Sequence, residues 1–479
     1  MKILKGLEGS RQFWLVIFST FLFFILRLPS LFEPLWYGDE GIYQVIGTAL
    51  NHGKLLYSQI FDNKPPLLYW LYAALQSDQF SIRLASLIFG ALAVIMFFFL
   101  SKKLFENIEK PNNVPLLTTL IFTILFALPT LEGNIANAEN FMLLPIITSA
   151  FLIISKKKFF VPGLLLGIAF LFKIVAIFDL AAFIAFCFIL NFDSIKKEIK
   201  LSSIVGGFIL PILLVSVFFL SNGSFMDFIK AAFITNISYV SYGNRIGNFP
   251  LLLLIKLALL GSFALFALIK RKNFSQSTLF ISLWFAFSLF NAFFSQRPYT
   301  HYLLILIPSL SLMVGLILFT DKYKKIMAGI LLVTLLIIIK GFGTPRFDKA
   351  ISYYQNFISY VMGNKTTTSY QAYFDWNTPS DYEIARFIKP KLAKNDTIFI
   401  WGNNAQLYQL VNVVAPAKYV VAYHISNYKD GISTTQAGIE MSKPKFIVIM
   451  KNTDSIPVSL VNYSKKISIN NATIYERIF

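Results

Sequence analysis

The sequence predicts a mainly α-helical, polytopic membrane protein of about eleven transmembrane helices, with interfacial helices in the first outer loop and a small C-terminal α/β domain. Three observations carry this prediction. Only 14% of the 479 residues are charged and 56% are hydrophobic; soluble domains average about 25% charged, so lipid must solvate much of the chain. The apolar residues are gathered into runs that approach the roughly 20 residues a spanning helix needs. The cations behind the net charge of +19 sit in short loops between those runs, at Lys102-Lys103, Lys156–Lys158, Lys196-Lys197, Lys270–Lys272 and Lys322–Lys325. That is the positive-inside pattern that orients membrane helices, and it argues against nucleic acid as the partner of so basic a chain.

The runs follow in order. Met1–Arg11 precedes a long apolar stretch with no small-residue cleavage site, and is read as the cytoplasmic start of a retained first helix, Phe13–Phe32. Further spans are expected at Ile82–Leu100, Val114–Thr130, Asn140–Ile154, Phe159–Phe172, Val175–Leu190, Leu201–Leu220, Leu251–Ile269, Phe274–Phe294, Tyr302–Thr320 and Ile326–Ile339. The split at Lys173 is forced by parity. The Lys156 and Lys196 loops must share a side, so the chain crosses twice between them. Every Lys-rich loop then falls in the cytoplasm. The outer side receives Glu33–Ser81, Leu131–Glu139, Lys173, Ser221–Pro250, Ser295–His301 and all that follows Lys340.

Beyond Gly341 the apolar runs shrink to strand length, at Thr397–Trp401 and Phe446–Met450, with helix-like patterns at Asp381–Leu392 and Ala405–Val411. The expected division is a membrane module, 1–341, and an extracytoplasmic domain, 342–479, with its α/β core in about 378–479. The single cysteine, Cys187, lies in an apolar run and excludes an internal disulfide.

The outer loops hold the chemistry. In the stretch Trp36–Trp70, residues Ile42, Val45, Ile46, Ala49 and Leu50 mark one face of a helix that begins near Asp39 and ends before Gly53. Too short to span, such a helix lies along the interface. It sets Asp39 and Glu40 at headgroup depth, where a helix N-terminus favours the ionised carboxylate a general base needs. An N-cap aspartate with a first-turn glutamate explains the same pair structurally. Lys64 is presented by Pro65-Pro66 at a rigid corner, two residues after Asp62. It suits a phosphate, or it simply snorkels.

Glu139, in Asn134–Asn140, stands at the mouth of the fourth span, either as a helix-start residue or as a third acid of the site. Tyr242 and Arg245 lie together in the loop Thr235–Arg245, where aromatics also serve as belt residues. Arg297, His301 and Tyr302 open the tenth span. Arg297 is a second candidate phosphate partner and His301 a candidate donor or ligand. No P-loop, dinucleotide fingerprint, HExxH or Gly-x-Ser-x-Gly occurs. The 3 histidines, His52, His301 and His424, are too scattered for a His-rich metal site, which leaves a carboxylate-bound divalent cation as the only metal chemistry to consider and no cofactor required.

Asp39-Glu40 after the first span, the Tyr57–Pro66 segment ending in Lys-Pro-Pro, Glu139, and Arg-x-x-x-His-Tyr before a late span occur in an order that resembles the GT-C glycosyltransferases. Within them the sequence is similar to the group of dolichyl-phosphate-mannose protein mannosyltransferases and aminoarabinose transferases, over roughly its first three hundred residues. The resemblance implies transfer of a sugar, with inversion, from a polyprenyl-phosphate donor to a glycan, lipid or protein acceptor on the outer face of the membrane; the many Lys, Asn, Ile and Phe residues point to a prokaryote, and so to its plasma membrane. It places the family's essential aspartate on Asp39, with Glu40 beside it. The basic position of the first loop falls on Lys64 and the acid of the second on Glu139. Arg297 and His301 fall where the family contacts the donor phosphate.

Asn63 stands where aminoarabinose transferases tend to carry an acid directly before the lysine. That departure argues against a metal site of their kind and against lipid A as acceptor. The tail shows no β-trefoil-like insert of the eukaryotic protein mannosyltransferases. The alternative function is a transporter or lipid flippase of envelope glycan precursors. Transporters show repeated halves and midplane charges, whereas charges inside these runs are sparse, notably Asp179 and Lys256.

Overall fold

The computed structural model describes residues 11–107, 113–156, 159–192, 199–246, 249–319, 324–343, 347–451, 453 and 455–478. Lys157, Lys158, Lys196, Lys197 and Lys322 of the basic loops, and most of Met1–Arg11, lie outside them. Contacts gather the chain into two units. The first comprises Met1–Leu28, Ala85–Phe218 and Ile234–Ala350; the second comprises Pro29–Leu84, Phe219–Phe233 and Ile351–Phe479. The stretch around Asp39, Lys64 and Arg83 therefore belongs to the same unit as the C-terminal residues.

Each apolar run becomes a helix: α1 (Arg11–Arg27), α4 (Gln79–Leu104), α5 (Asn113–Ala127), α6 (Ala138–Ile154), α7 (Phe160–Phe172), α8 (Ile177–Leu190), α9 (Ile199–Ser221), α12 (Leu251–Ile269), α13 (Gln276–Ala292), α14 (Ile307–Phe319) and α15 (Lys324–Phe342). Between α1 and α4 the chain forms α2 (Gly38–Asn51) and α3 (Pro66–Ala74); α10 (Phe225–Ile229) and α11 (Thr235–Gly243) separate α9 from α12. Among the described residues 6 helical segments are long and apolar enough to cross a membrane unaided, and α5, α6, α7 and the segment Ile174–Leu190 are shorter apolar helices. The helix breaks at Lys173, whose backbone is extended, and restarts through a 3-10 turn at Ile174–Ala176. The break falls where the charge parity requires one.

The first unit is packed by small residues and aromatics. A side chain on Gly163 of α7 would meet the Ile204 carbonyl oxygen of α9 at 2.0 Å, and one on Gly167 would meet that of Phe208 at 2.5 Å. This Gly-x-x-x-Gly spacing lets two apolar helices approach by their backbones, the close packing available where lipid removes the hydrophobic drive. Phe183 stacks on Phe280, and the Trp284 indole donates to Asp179 at 2.8 Å, so that intramembrane acid has a partner. By contrast α12 exposes Leu254, Leu259 and Leu265, a surface that lipid would cover.

In the second unit the apolar stripe foreseen for the first outer loop is present on α2, but it packs on protein. Ile42, Val45, Ile46 and Ala49 are buried, and Gly53 takes φ +81 just past the helix end, a conformation glycine adopts at no steric cost. The tail supplies α16 (Phe347–Val361), α17 (Thr367–Phe374), α18 (Thr378–Ile388), β1 (Ile398–Trp401), α19 (Gln406–Val411), α20 (Ala422–Asn427), α21 (Gly431–Ser442), β2 (Phe446–Met450), β3 (Tyr463–Ile469) and β4 (Ala472–Arg477). The sheet order is β1-β2-β4-β3. β1 and β2 pair in parallel with Ile400 opposite Val448, and β4 runs antiparallel to both neighbours. The continuous apolar strands IFIW and FIVIM form the buried parallel pair at one side of the sheet; the β3–β4 hairpin turns through Asn470, at φ +44.

Candidate active site

The N-terminus of α2 and the corner before α3 meet in one cluster. Asp39 occupies the first turn of α2, and one turn later the Tyr43 hydroxyl donates to its Oδ2 at 3.0 Å. Pro65 is extended and Pro66 opens α3, so the chain turns sharply at Lys64. The Lys64 ammonium stands 3.6 Å from Asp39 Oδ2 and 3.5 Å from Asp62 Oδ2, over the face of Tyr43 at 4.7 Å. Asp62 is locked: its two oxygens accept from the Tyr69 hydroxyl at 2.7 Å and from the Asn63 N–H at 2.8 Å. The backbone of Lys64 is held on both sides, its N–H donating to the Tyr69 hydroxyl at 3.2 Å and its carbonyl accepting from Tyr57 at 2.7 Å.

Exposure separates the roles. The Asp62 side chain is 3% exposed, that of Lys64 19% and that of Asp39 37%, so Asp39 and Lys64 are the groups a substrate can reach. Burial, then the neighbouring Asp charges, pushes the phenols of Tyr43, Tyr57 and Tyr69 well above their ordinary range. They are thus held as donors, Tyr43 and Tyr69 to the carboxylates of Asp39 and Asp62 and Tyr57 to the Lys64 carbonyl, rather than as competing anions.

Glu40 belongs to a different network. Its carboxylate accepts from Arg83 Nε at 3.1 Å and pairs with Nη2. Arg83, fully buried, also pairs with Glu33 at 2.7 Å and donates to the Ser30 carbonyl at 2.8 Å. Glu33 in turn accepts from Trp36 at 2.8 Å and from Tyr353 at 2.6 Å. Consecutive helical residues point about 100° apart, so Asp39 and Glu40 face different sides of α2. Sequence reasoning paired them as catalytic; the geometry ties Glu40 to Arg83.

The first unit holds a second cluster. Glu139 opens α6, buried, and pairs with Lys173. The Lys173 ammonium lies 4.4 Å above the Tyr302 ring. His301 stands edge-on to Tyr302 and 3.9 Å from Glu139, while its Nδ1 meets Glu132 at 2.8 Å. Thr300 donates to the other oxygen of Glu132 at 2.6 Å. Glu139, His301 and Tyr302 are therefore brought together around Lys173. The Arg297 guanidinium lies 5.4 Å over the Tyr242 ring, and Arg245 is exposed beyond the end of α11.

Sequence reasoning missed Arg83, Lys173, Glu132 and His424 as members of these networks. An arginine at the start of an apolar run was a usable signal, because an intramembrane charge requires a partner; nothing local marked the others. Among the described residues no three or more His, Cys, Asp or Glu side chains are grouped to hold a metal ion.

Residues 63–219 match the family model described as dolichyl-phosphate-mannose-protein mannosyltransferase. Two crystal structures of ArnT from Cupriavidus metallidurans resemble the whole chain. The structure bound to undecaprenyl phosphate has a TM-score of 0.51 at 14% identity, covering 97% of this chain and 98% of that one. The structure in the apo state has a TM-score of 0.54 at 13% identity, covering 96% and 97%. No curated protein matches the sequence significantly. The chain thus has the fold seen in ArnT along nearly its whole length, and within residues 63–219 it matches the pattern described as dolichyl-phosphate-mannose-protein mannosyltransferase.

Proposed function

We propose that this protein is an integral-membrane glycosyltransferase that moves a sugar from a polyprenyl-phosphate donor to an acceptor hydroxyl, with inversion and with Asp39 as base. The observation that carries the reading is the accessible pair of Asp39 and Lys64, with Lys64 held by the buried Asp62. A fixed cation beside a reachable carboxylate is what displacement of a lipid phosphate requires. The ArnT likeness, one member of which binds undecaprenyl phosphate, and the mannosyltransferase pattern support the same class.

In the reaction the acceptor oxygen attacks the anomeric carbon and its proton passes to an Asp39 carboxylate oxygen. The bond from that carbon to the phosphate oxygen breaks, and the electron pair leaves on the phosphate. Lys64 stabilises that charge as a preorganised cation. A phosphate is already a good leaving group, so little acid assistance is needed. Tyr43 orients Asp39 through its hydroxyl. In the first unit, Glu139, Arg297, His301, Tyr302, Tyr242 and Arg245 are assigned to substrate binding. The membrane module 1–341 is taken to work with an extracytoplasmic 342–479, in a prokaryotic plasma membrane with the N-terminus inside. The acceptor class stays as wide as glycan, lipid or protein.

The test is release of polyprenyl phosphate from a labelled lipid-linked sugar by the purified full-length protein. The wild type is expected to release it, and Asp39→Asn to lose roughly 10²–10⁴-fold in turnover, the usual contribution of a positioned base, while inserting normally. Lipid-sugar left intact by the wild type, with or without its movement across a vesicle, would overturn the reading in favour of transport.

A further inference from the structure

The Lys64 corner is held from the C-terminal part of its own unit. The Phe61 N–H donates to the Lys418 carbonyl at 3.0 Å. The Phe61 ring is enclosed by Tyr428 at 4.7 Å, Tyr419 at 5.1 Å and His424 at 5.5 Å. Lys54 donates to the Ala415 carbonyl at 2.7 Å. The next residue after Phe61 is Asp62, and His424 Nε2 stands 3.9 Å from its Oδ1.

His424 is 4% exposed, and its Nδ1 has no hydrogen-bond partner. Burial lowers its pKa to about 4 against the opposing pull of Asp62, so the ring is neutral at physiological pH. A buried polar ring inside an aromatic box costs free energy that phenylalanine would not. Its polar atoms need another reason to be there, and the acid its Nε2 faces is the one that fixes Lys64.

We propose that His424 is a positioning residue of the Lys64 site: it donates from Nε2 to Asp62, which holds the lysine ammonium in place, so the C-terminal segment 415–428 is a working part of donor-phosphate recognition. The 3.9 Å separation exceeds a direct hydrogen bond, as active-site contacts often do until ligand binds. Asp62 keeps its other donors, Tyr69 and Asn63, throughout. The proposal rests on the reading of Lys64 as the phosphate partner.

Affinity of the purified full-length protein for undecaprenyl phosphate tests it without requiring turnover. Lys64→Met is expected to weaken binding. His424→Phe, which preserves the aromatic packing, is expected to weaken it roughly tenfold, within the usual range for coupled neighbours, with the thermal transition little changed. His424→Gln, whose amide nitrogen falls near the Nε2 position, is expected to bind as wild type, and His424→Asn, whose amide falls near Nδ1, is expected to be as weak as His424→Phe. The double variant His424→Phe/Lys64→Met is expected to bind no worse than Lys64→Met alone. Wild-type affinity in His424→Phe, equal affinity of the Gln and Asn variants, or strict additivity would overturn the role of His424 while leaving Lys64 in place. Should Lys64→Met itself bind normally, the phosphate reading falls first and this proposal with it. If His424→Phe does not fold, the Gln and Asn pair decides alone.

Discussion

A lysine ammonium set between two carboxylates, as Lys64 is between Asp39 and Asp62, leaves the group one formal negative charge in excess. On the proposed reading an arriving phosphate would compete with Asp39 for that cation, because Asp39 is the more exposed of the two acids. Replacing Lys64 with Met removes one charge-assisted interaction worth about 1.5–3 kcal/mol, so donor KM is expected to rise roughly 10–100-fold. Steady-state kinetics with varied lipid-sugar would show it, and an unchanged KM would exclude a phosphate contact. Arg83 behaves differently. Arg83→Met would leave Glu33 and Glu40 buried without their cation, at about 3–5 kcal/mol, and the expected result is loss of folded protein in a thermal-shift assay. A well-folded but slow Arg83→Met would instead place Glu40 in the chemistry.

At the scale of elements, α2 shows what a stripe leaves open about the helix it foresees. Periodicity marked Ile42, Val45, Ile46 and Ala49 correctly, but could not say whether lipid or protein covers them. They are buried because α19 and α3 cover that face. The approach of α19 is close enough that a side chain on Gly41 would lie 2.7 Å from the Gln406 nitrogen. Gln406 is itself tied to the buried Asp381 at 2.8 Å, as is Asn404 at 3.0 Å, so this loop has little room to yield. Gly41→Ala is expected to cost about 1–3 kcal/mol by overpacking and to shift α2, lowering turnover more than Gly261→Ala in α12, where nothing lies within reach of a new methyl. Parallel measurement of thermal stability and turnover checks this; equal effects at the two glycines would refute the tight contact.

For the whole molecule, the charge pattern predicts that everything after α15 is extracytoplasmic. Cys187 is buried and is the chain's one cysteine, so Cys187→Ala provides a thiol-free background at small packing cost. In it, Ser455→Cys, at an exposed position of the tail, is expected to react with a membrane-impermeant maleimide in intact cells. Labelling only after lysis would invert the topology and move the proposed site to the cytoplasmic face.

The apolar runs determined the helices by themselves, because burying twenty consecutive backbone amides in lipid permits little else, and the loop charges determined where the chain must turn, Lys173 included. The tail strands IFIW and FIVIM were likewise legible. Charges are satisfied by partners far along the chain, and sequence spacing carries no record of which. Only the tertiary structure therefore separated Asp39 from its neighbour Glu40, gave the latter to Arg83, joined Lys173 to Glu139, and set His424 beside Asp62.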